Sequence, residues 1–367
     1  MPSLPAKLIN AQVKNLLGQH VNKYRAIDLF AGIGGLRLGF QRAFGNEIEF
    51  VFASEINQFA CDTYEANFGE RPDGDITEIP PKSVPDHDIL LAGWPCQSFS
   101  IAGRKRGFRD PRGNLFYAIS NILEAKRPYA FLLENVWYLE RHDRGRTFAT
   151  IMDVLENELR YKVYHEMLNA KYYGVPHNRP RVFIAGFREP IHFEFPLPSP
   201  NVPKLKSILD KNVDSKYYIS QRYLNGLKKH RKRHENKGHG FGYMVLDPEG
   251  VARALVIGGM GHERNLVKNT PPSDAYSGAG DDLGKPNCEG LRRLTPMECA
   301  RLQGFPNPRK VPPSFRRSER QKQVRSFVFP VSATQIYRQL AESVAVPLVH
   351  KIALKMKEAI TERVPID

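Results

Sequence analysis

Short apolar runs alternate with helical periods through the first half of the chain. Residues 25–30, 47–53, 88–92 and 129–133 read as buried strands, and 36–44, 57–67 and 114–126 carry a helical period between them. A helix over 147–158 and strands over 162–168 and 181–187 complete the series. Buried strands alternating with helices of this length predict an α/β fold, a doubly wound and mostly parallel sheet covered on both faces.

The pattern breaks after Arg188. Pro190, Pro196, Pro198, Pro200 and Pro203 crowd one stretch, as in a linker. From about 204 to 289 the chain shows short strand-like pieces, many glycines and the basic run 228–233. A helical period returns over 332–357, and the first 24 residues suggest a short amphipathic helix. The division expected is an N-terminal helical extension (1–24), a large α/β domain (25–195), a small irregular domain (196–325) and a C-terminal segment returning to the large one (326–367).

Composition narrows the partners. Lys and Arg number 54 against 39 Asp and Glu, a net charge of +15 with a pI near 9.6. A polyanion is the natural partner of such a chain, nucleic acid before a membrane surface. No run reaches the roughly 20 apolar residues that span a bilayer, and the first 20 residues lack a secretory pattern. Cys61, Cys96, Cys288 and Cys299 form no CxxC pair, which suits a reducing cytoplasm and argues against structural zinc. No metal is expected.

Three strand ends carry the candidate chemistry. In Asp28-Leu-Phe-Ala-Gly-Ile-Gly-Gly35 glycines sit at a strand-to-helix turn, and Glu55 follows Gly35 by 20 residues. Such a turn lets backbone approach a nucleotide-like ligand, with the acid on ribose hydroxyls, or is only tight. Gly93-Trp-Pro-Cys-Gln-Ser-Phe-Ser100 places a thiol beyond a strand end, where a nucleophile would sit, or Cys96 is a small buried apolar group. Glu134-Asn135 closes a strand at the same edge: Glu134 is a desolvated proton donor or a capping acid. In Tyr173-Gly-Val-Pro-His-Asn-Arg-Pro-Arg181 the two arginines alternate on one strand face, for phosphate, a base edge or solvent.

Taken in order, and with 292–306 and 332–340 resembling two further motifs, these segments resemble the C5-cytosine DNA methyltransferase family, of the bacterial modification type. The resemblance covers about 25–188 and 290–350 and leaves the middle as a target-recognition region. It implies methylation of C5 in a short duplex DNA sequence, with S-adenosyl-L-methionine as donor. Cys96 is implied as the nucleophile on C6 and Glu134 as the group on N3 and the exocyclic amine. Asn135 positions Glu134, while Arg179 and Arg181 favour the thiolate or hold the base. For the cofactor it implies Phe30, Gly32, Gly34, Gly35, Glu55, Ile56, Asp75, Ile76, Pro95, Leu115, Ser343 and Val344. C6 is inaccessible within a duplex, so base flipping follows. The basic segment 100–112 (Ser100, Arg104, Lys105, Arg106, Arg109, Arg112) then suits a loop closing on DNA, and His262, Arg264 and Asn265 are candidates for reading bases or are turn and core residues.

The partners expected are duplex DNA and a restriction endonuclease of the same specificity, for a monomer with no membrane contact. Departures from the family pattern are Trp94, Ser98, His177 in place of Gln, and Glu342 in place of Asn. His177 puts one hydrogen bond in doubt, and Glu342 predicts weaker cofactor binding. A non-catalytic DNA-binding relative and an RNA cytosine methyltransferase of the same fold are the rival readings. A nicotinamide dehydrogenase leaves the later motifs unexplained.

Overall fold

The computed structural model describes residues 23–95, 115–239, 242–257, 262–271, 286–315 and 324–362. Six strands form one sheet: β1 (Tyr24–Leu29), β2 (Ile48–Ser54), β3 (Ile89–Gly93), β4 (Ala130–Val136), β5 (Lys162–Asn169) and β6 (Pro180–Phe187). Their spatial order is β2-β1-β3-β4-β6-β5. The first four run parallel, and β6 lies antiparallel between β4 and β5. The reason is the short connection over 170–179, which holds no crossover helix and so returns the chain antiparallel.

Both sheet faces are covered. On one, α1 (Gly35–Phe44) packs with the C-terminal helix α8 (Val346–Glu362) over Ala26, Ile89, Leu91 and Leu132. The two helices approach so closely that a Cβ on Gly39 would meet Val349 Cγ1 at 2.4 Å. On the other face, α3 (Leu115–Lys126) and α4 (Arg146–Asp153) cover Ile27, Leu90, Leu133 and Ile184. Burial on both faces explains why β1, β3 and β4 read as largely apolar runs, with Asp28 the exception inside β1 and Glu134 and Asn135 at the end of β4. Helix α2 (Gln58–Phe68) carries Asn57 as its N-cap, whose side chain accepts from the Phe59 and Ala60 amides.

Four expectations need correction. The helix expected over 147–158 is α4 followed by a π-type turn at Val154–Glu158, where Leu159 N–H reaches the Val154 carbonyl. The proline-rich stretch is no free linker: Phe193 packs on Phe187 and Tyr164, and Tyr173 donates to the Pro196 carbonyl. The middle region holds a helix, α5 (Gln221–Glu235), around the basic run. Its only buried residues are Leu224 and Leu227, too few for a recurrent apolar period. The C-terminal period is two helices, α7 (Ala333–Glu342) and α8, broken at Ser343, which is extended. The N-terminal helix expected over 1–24 falls almost wholly outside the described residues, and Tyr24 already belongs to β1.

The middle region joins the sheet domain through a shared core. Leu205, Leu246, Phe305 and Phe327 cluster with Ile33, Leu38 and Ala60, while Ile219, Leu224, Leu227, Leu266 and Leu291 form a smaller cluster. The junction is held by α6 (Pro296–Leu302). Thr295 and Glu298 form a capping box there, and buried Arg292 grips Glu298 through two bonds of 2.8 Å. Glu298 also accepts the Asp210 amide, so one carboxylate ties three segments.

Removing one partner of a buried pair strands the other charge. Arg292→Met should therefore lower unfolding stability by about 3–5 kcal/mol in urea titrations. Lys204→Met, which breaks an exposed pair with Glu249, should leave the midpoint almost unchanged. Equal effects would mean that Glu298 is not stabilised by Arg292.

Candidate active site

At the C-terminal end of β1 the chain turns through three left-handed residues, Phe30 (φ 53°), Gly32 (φ 55°) and Gly34 (φ 80°). Open space lies where a Cβ on Gly32 would stand, whereas one on Gly34 would strike Phe68 at 2.3 Å. Glu55, just past β2, accepts from Gly32 N–H and Asn57 N–H, both at 2.8 Å. These two bonds pin the carboxylate across the glycine turn. Ile56 beside it is 67% exposed, an apolar side chain left bare next to a fixed acid. Backbone bonds between Asp73 and Ala53 and between Glu55 and Asp73 bring the segment with Asp75 and Ile76 alongside. Ile76 is buried in the cluster that Phe30 and Leu115 pack against, and Asp75 Oδ1 accepts from the Thr77 amide and hydroxyl. An open glycine turn, a pinned carboxylate and a bare apolar side chain are the surroundings a nucleoside needs, so these residues fit an adenosyl cofactor.

The adjacent edge carries the acid. Glu134, near the end of β4, is buried and lies beside Gly93, where an added Cβ would stand 3.3 Å from its Oε2. Arg181 on β6 reaches Glu134 Oε1 at 3.0 Å, across the antiparallel β4–β6 pairing. Burial lifts the Glu134 carboxyl above its ordinary range, while Arg181 and then Arg179 pull it back. Asn135 donates to the Trp94 carbonyl at 2.8 Å and so fixes the strand end leading to Cys96. Trp94 is buried against Phe116, and Pro95 is exposed. Cys96, Ser100, Arg104, Lys105, Arg106, Arg109 and Arg112 lie outside the described residues, as does Ser98.

Arg179 and Arg181 do not lie on one strand, though both act on Glu134. Arg179 precedes β6, and its buried guanidinium donates to the carbonyls of Leu255, Ala341 and Ser343. Gln303 adds bonds to the Leu340 and Ser343 carbonyls. The break between α7 and α8 is thereby drawn against the glycine turn, where a Cβ on Gly35 would lie 2.8 Å from both Ser343 Oγ and Val344 Cγ2. Glu342 is exposed on this break; partial burial and then the nearby Glu55 charge lift its carboxyl. His177 is buried, and its Nε2 accepts from Leu255 N–H at 3.3 Å. Burial, Arg179 and Arg181 push that imidazole well below its ordinary range, which keeps the acceptor lone pair free.

Other candidates separate. Cys61 is a buried thiol donating to the Glu55 carbonyl, pushed up to about 11 by burial, and Cys299 is buried and pushed up likewise. Both are packing groups. Asn265 is buried with its amide on the Arg253 backbone, an internal clamp, whereas Arg264 is exposed. His262 packs edge-on against Tyr337 at 4.4 Å. Two residues were given no role by the sequence reading. Gln303 lay inside a quoted motif. Asp28, a charged residue within an apolar strand, is fully buried, and among the described residues neither oxygen has a hydrogen-bond partner. No helix among the described residues is long and apolar enough to cross a membrane, and no group of three or more His, Cys, Asp or Glu there is placed to hold a metal ion.

The family model for C-5 cytosine-specific DNA methylase matches residues 24–358. The chain belongs to this family. The methylase is 44% identical over 343 residues to the Type II methyltransferase M.HpaII of Haemophilus parainfluenzae, covering 92% of this chain and 90% of the relative. It is 41% identical over 340 residues to the Type II methyltransferase M.NlaX of Neisseria lactamica, covering 92% and 97%. Among solved structures, the Entamoeba histolytica methyltransferase EhMeth superposes with a TM-score of 0.65 at 19% identity, over 93% of this chain and 98% of that one. The S. pombe Dnmt2 methyltransferase gives 0.63 at 20%, over 91% and 98%. At those identities the likeness is one of fold. Family membership makes the methylase a DNA (cytosine-5-)-methyltransferase.

Arg181→Gln removes the cation nearest Glu134, so the Glu134 carboxyl rises further. A buried acid raised above its unfolded value, about 4.3, destabilises the fold only when ionised. Its penalty is absent below that value and grows as pH rises through the folded one. Stability lost by the variant should thus be small near pH 4.5 and larger by roughly 1–3 kcal/mol near pH 8, read by urea unfolding. A loss independent of pH would mean that the two groups are not coupled.

Proposed function

We propose that the methylase modifies C5 of cytosine within a short specific sequence of double-stranded DNA, as the modification enzyme of a type II restriction–modification system. The observation that carries this reading is the buried Glu134–Arg181 pair, set beside the Asn135 bond to the Trp94 carbonyl and next to the Gly32–Glu55 turn. The acid, the strand end that precedes Cys96 and the glycine turn lie at the C-terminal ends of neighbouring strands, where open α/β sheets bind ligands, which supports this reading. The relatives named Type II methyltransferases supply the restriction–modification context.

S-adenosyl-L-methionine, when bound, supplies an electrophilic methyl group. Phe30, Gly32, Gly34, Gly35, Glu55, Ile56, Asp75, Ile76, Pro95, Leu115, Ser343 and Val344 are the residues proposed to hold it. The Cys96 thiolate adds to C6 of an extruded cytosine, and the ring electrons displaced toward N3 meet a proton or hydrogen bond from Glu134. C5, now electron-rich, takes the methyl group. Solvent then takes the C5 proton, Cys96 leaves as the thiolate, and N3 returns its proton to Glu134 as the ring regains aromaticity. Glu134 suits this role because burial favours its protonated form, while Arg181 returns it to a carboxylate that can be recharged. Ser100, Arg104, Lys105, Arg106, Arg109 and Arg112 are proposed to close on DNA phosphates. Of the candidate base readers, Arg264 is the exposed one.

Trapping on duplex DNA carrying 5-fluorocytosine tests the covalent step. Wild-type protein should form an adduct stable to denaturation, because fluorine cannot leave C5 as a proton does. Cys96→Ser should form none and should lose methyl transfer by at least about 10³-fold. Retained turnover in Cys96→Ser would overturn the mechanism, and faster transfer to transfer RNA than to DNA would overturn the substrate.

A further inference from the structure

Directly beyond Glu134 and Asn135 the chain exposes two large aromatic rings. Trp137 is 41% exposed and Tyr138 50%, on the turn that follows β4, while Leu139 beneath them is fully buried and anchors that turn. The rings meet edge to face with centroids 5.8 Å apart, and the Arg141 guanidinium lies 5.5 Å from the Trp137 ring. Arg141 and Arg144 are exposed, and among the described residues neither has a carboxylate within ion-pair distance; Asp143 is held by Arg146. Apolar rings bare to water, three and four residues past the buried acid and flanked by uncompensated cations, are poorly suited to solvent. They suit a flat, electron-rich partner attached to a polyanion.

We propose that Trp137 and Tyr138, with Arg141 and Arg144, form a stacking platform for a nucleobase face of the DNA substrate that becomes bare when the target cytosine leaves the helix. Bases within an intact duplex have both faces covered, so a ring gains a partner only where extrusion has opened the stack. Arg141 and Arg144 hold the flanking phosphates. The platform rests on the base-flipping reading given above.

The chain has two tryptophans, and Trp94 is 3% exposed, so Trp137 is the solvent-facing reporter. The experiment uses the full chain and a duplex bearing its methylation site, mapped by bisulfite sequencing in cells free of cytosine methylation, with 2-aminopurine replacing the target. Trp137 emission should be quenched on binding, and Trp137→Phe should abolish that signal while keeping most of the affinity. Trp137→Ala should weaken binding by about 5- to 100-fold without altering the dependence on salt. Arg141→Ala should instead reduce the slope of log K against log salt by about 0.9. If 2-aminopurine brightens while Trp137 emission stays unchanged, the platform is wrong and base flipping stands. If 2-aminopurine also stays dark, both fall. Emission that shifts with protein concentration in the absence of DNA would overturn the proposal in favour of a second copy of the chain on this surface.

Discussion

The carbonyls left over at the C-terminal end of α7 organise this protein. A helix ends with four acceptors lacking intrahelical donors, and a break before α8 would leave those of Leu340, Ala341 and Ser343 buried without partners. Gln303 takes the first, Arg179 the second, and both share the third. The cation therefore sits at the negative end of the helix dipole, while burial and then Arg181 push its guanidinium below the ordinary range and Glu134 acts the other way. Four segments far apart in sequence are fastened by this one cluster: the loop before β6, α6, the α7–α8 break and, through Gly35 packed on Ser343 and Val344, the glycine turn. Loosening it would displace the glycine turn and the loop that leads into β6 together.

The acid side works by opposition. Desolvation acts to protonate Glu134, and Arg181 acts to ionise it. Burial is the larger of the two effects, so the carboxyl stays above its ordinary range even with Arg181 beside it. Arg181 reaches Glu134 because β6 runs antiparallel beside β4, which pairs Glu134 with Phe183 and Val136 with Arg181 across the ladder. A parallel β6 would start at the opposite sheet edge and carry Arg181 away from the acid. The one reversal in the sheet is thus what brings Arg181 to Glu134.

Much of the fold was legible because buried parallel strands leave largely apolar runs. The six strand positions agree with the expected ones to within a few residues, and the short 170–179 connection carried the clue to the reversal. Helix α5 was illegible for the converse reason. With only Leu224 and Leu227 buried, its surface shows no apolar stripe, and charge in the sequence does not distinguish a solvated helix from a solvated loop. The α7–α8 break was hidden too, because both helices bury apolar faces and the period resumes after a few residues. Pro347, in the first turn of α8, marks a helix start as well as it would mark an end.

The site shows where residue type stops being informative. Arg179 and Arg181 are the same amino acid two positions apart, and local pattern gives them one role. In the fold, Arg181 serves a carboxylate on a neighbouring strand while Arg179 serves carbonyls some 160 residues away in sequence. Asn135 and Asn265 divide similarly: one holds the Trp94 carbonyl at the end of β3, the other the backbone of Arg253 inside the middle region. A polar side chain announces that it will form a bond. Which bond is decided by long-range closure of the chain, and spacing along the sequence carries no record of that closure.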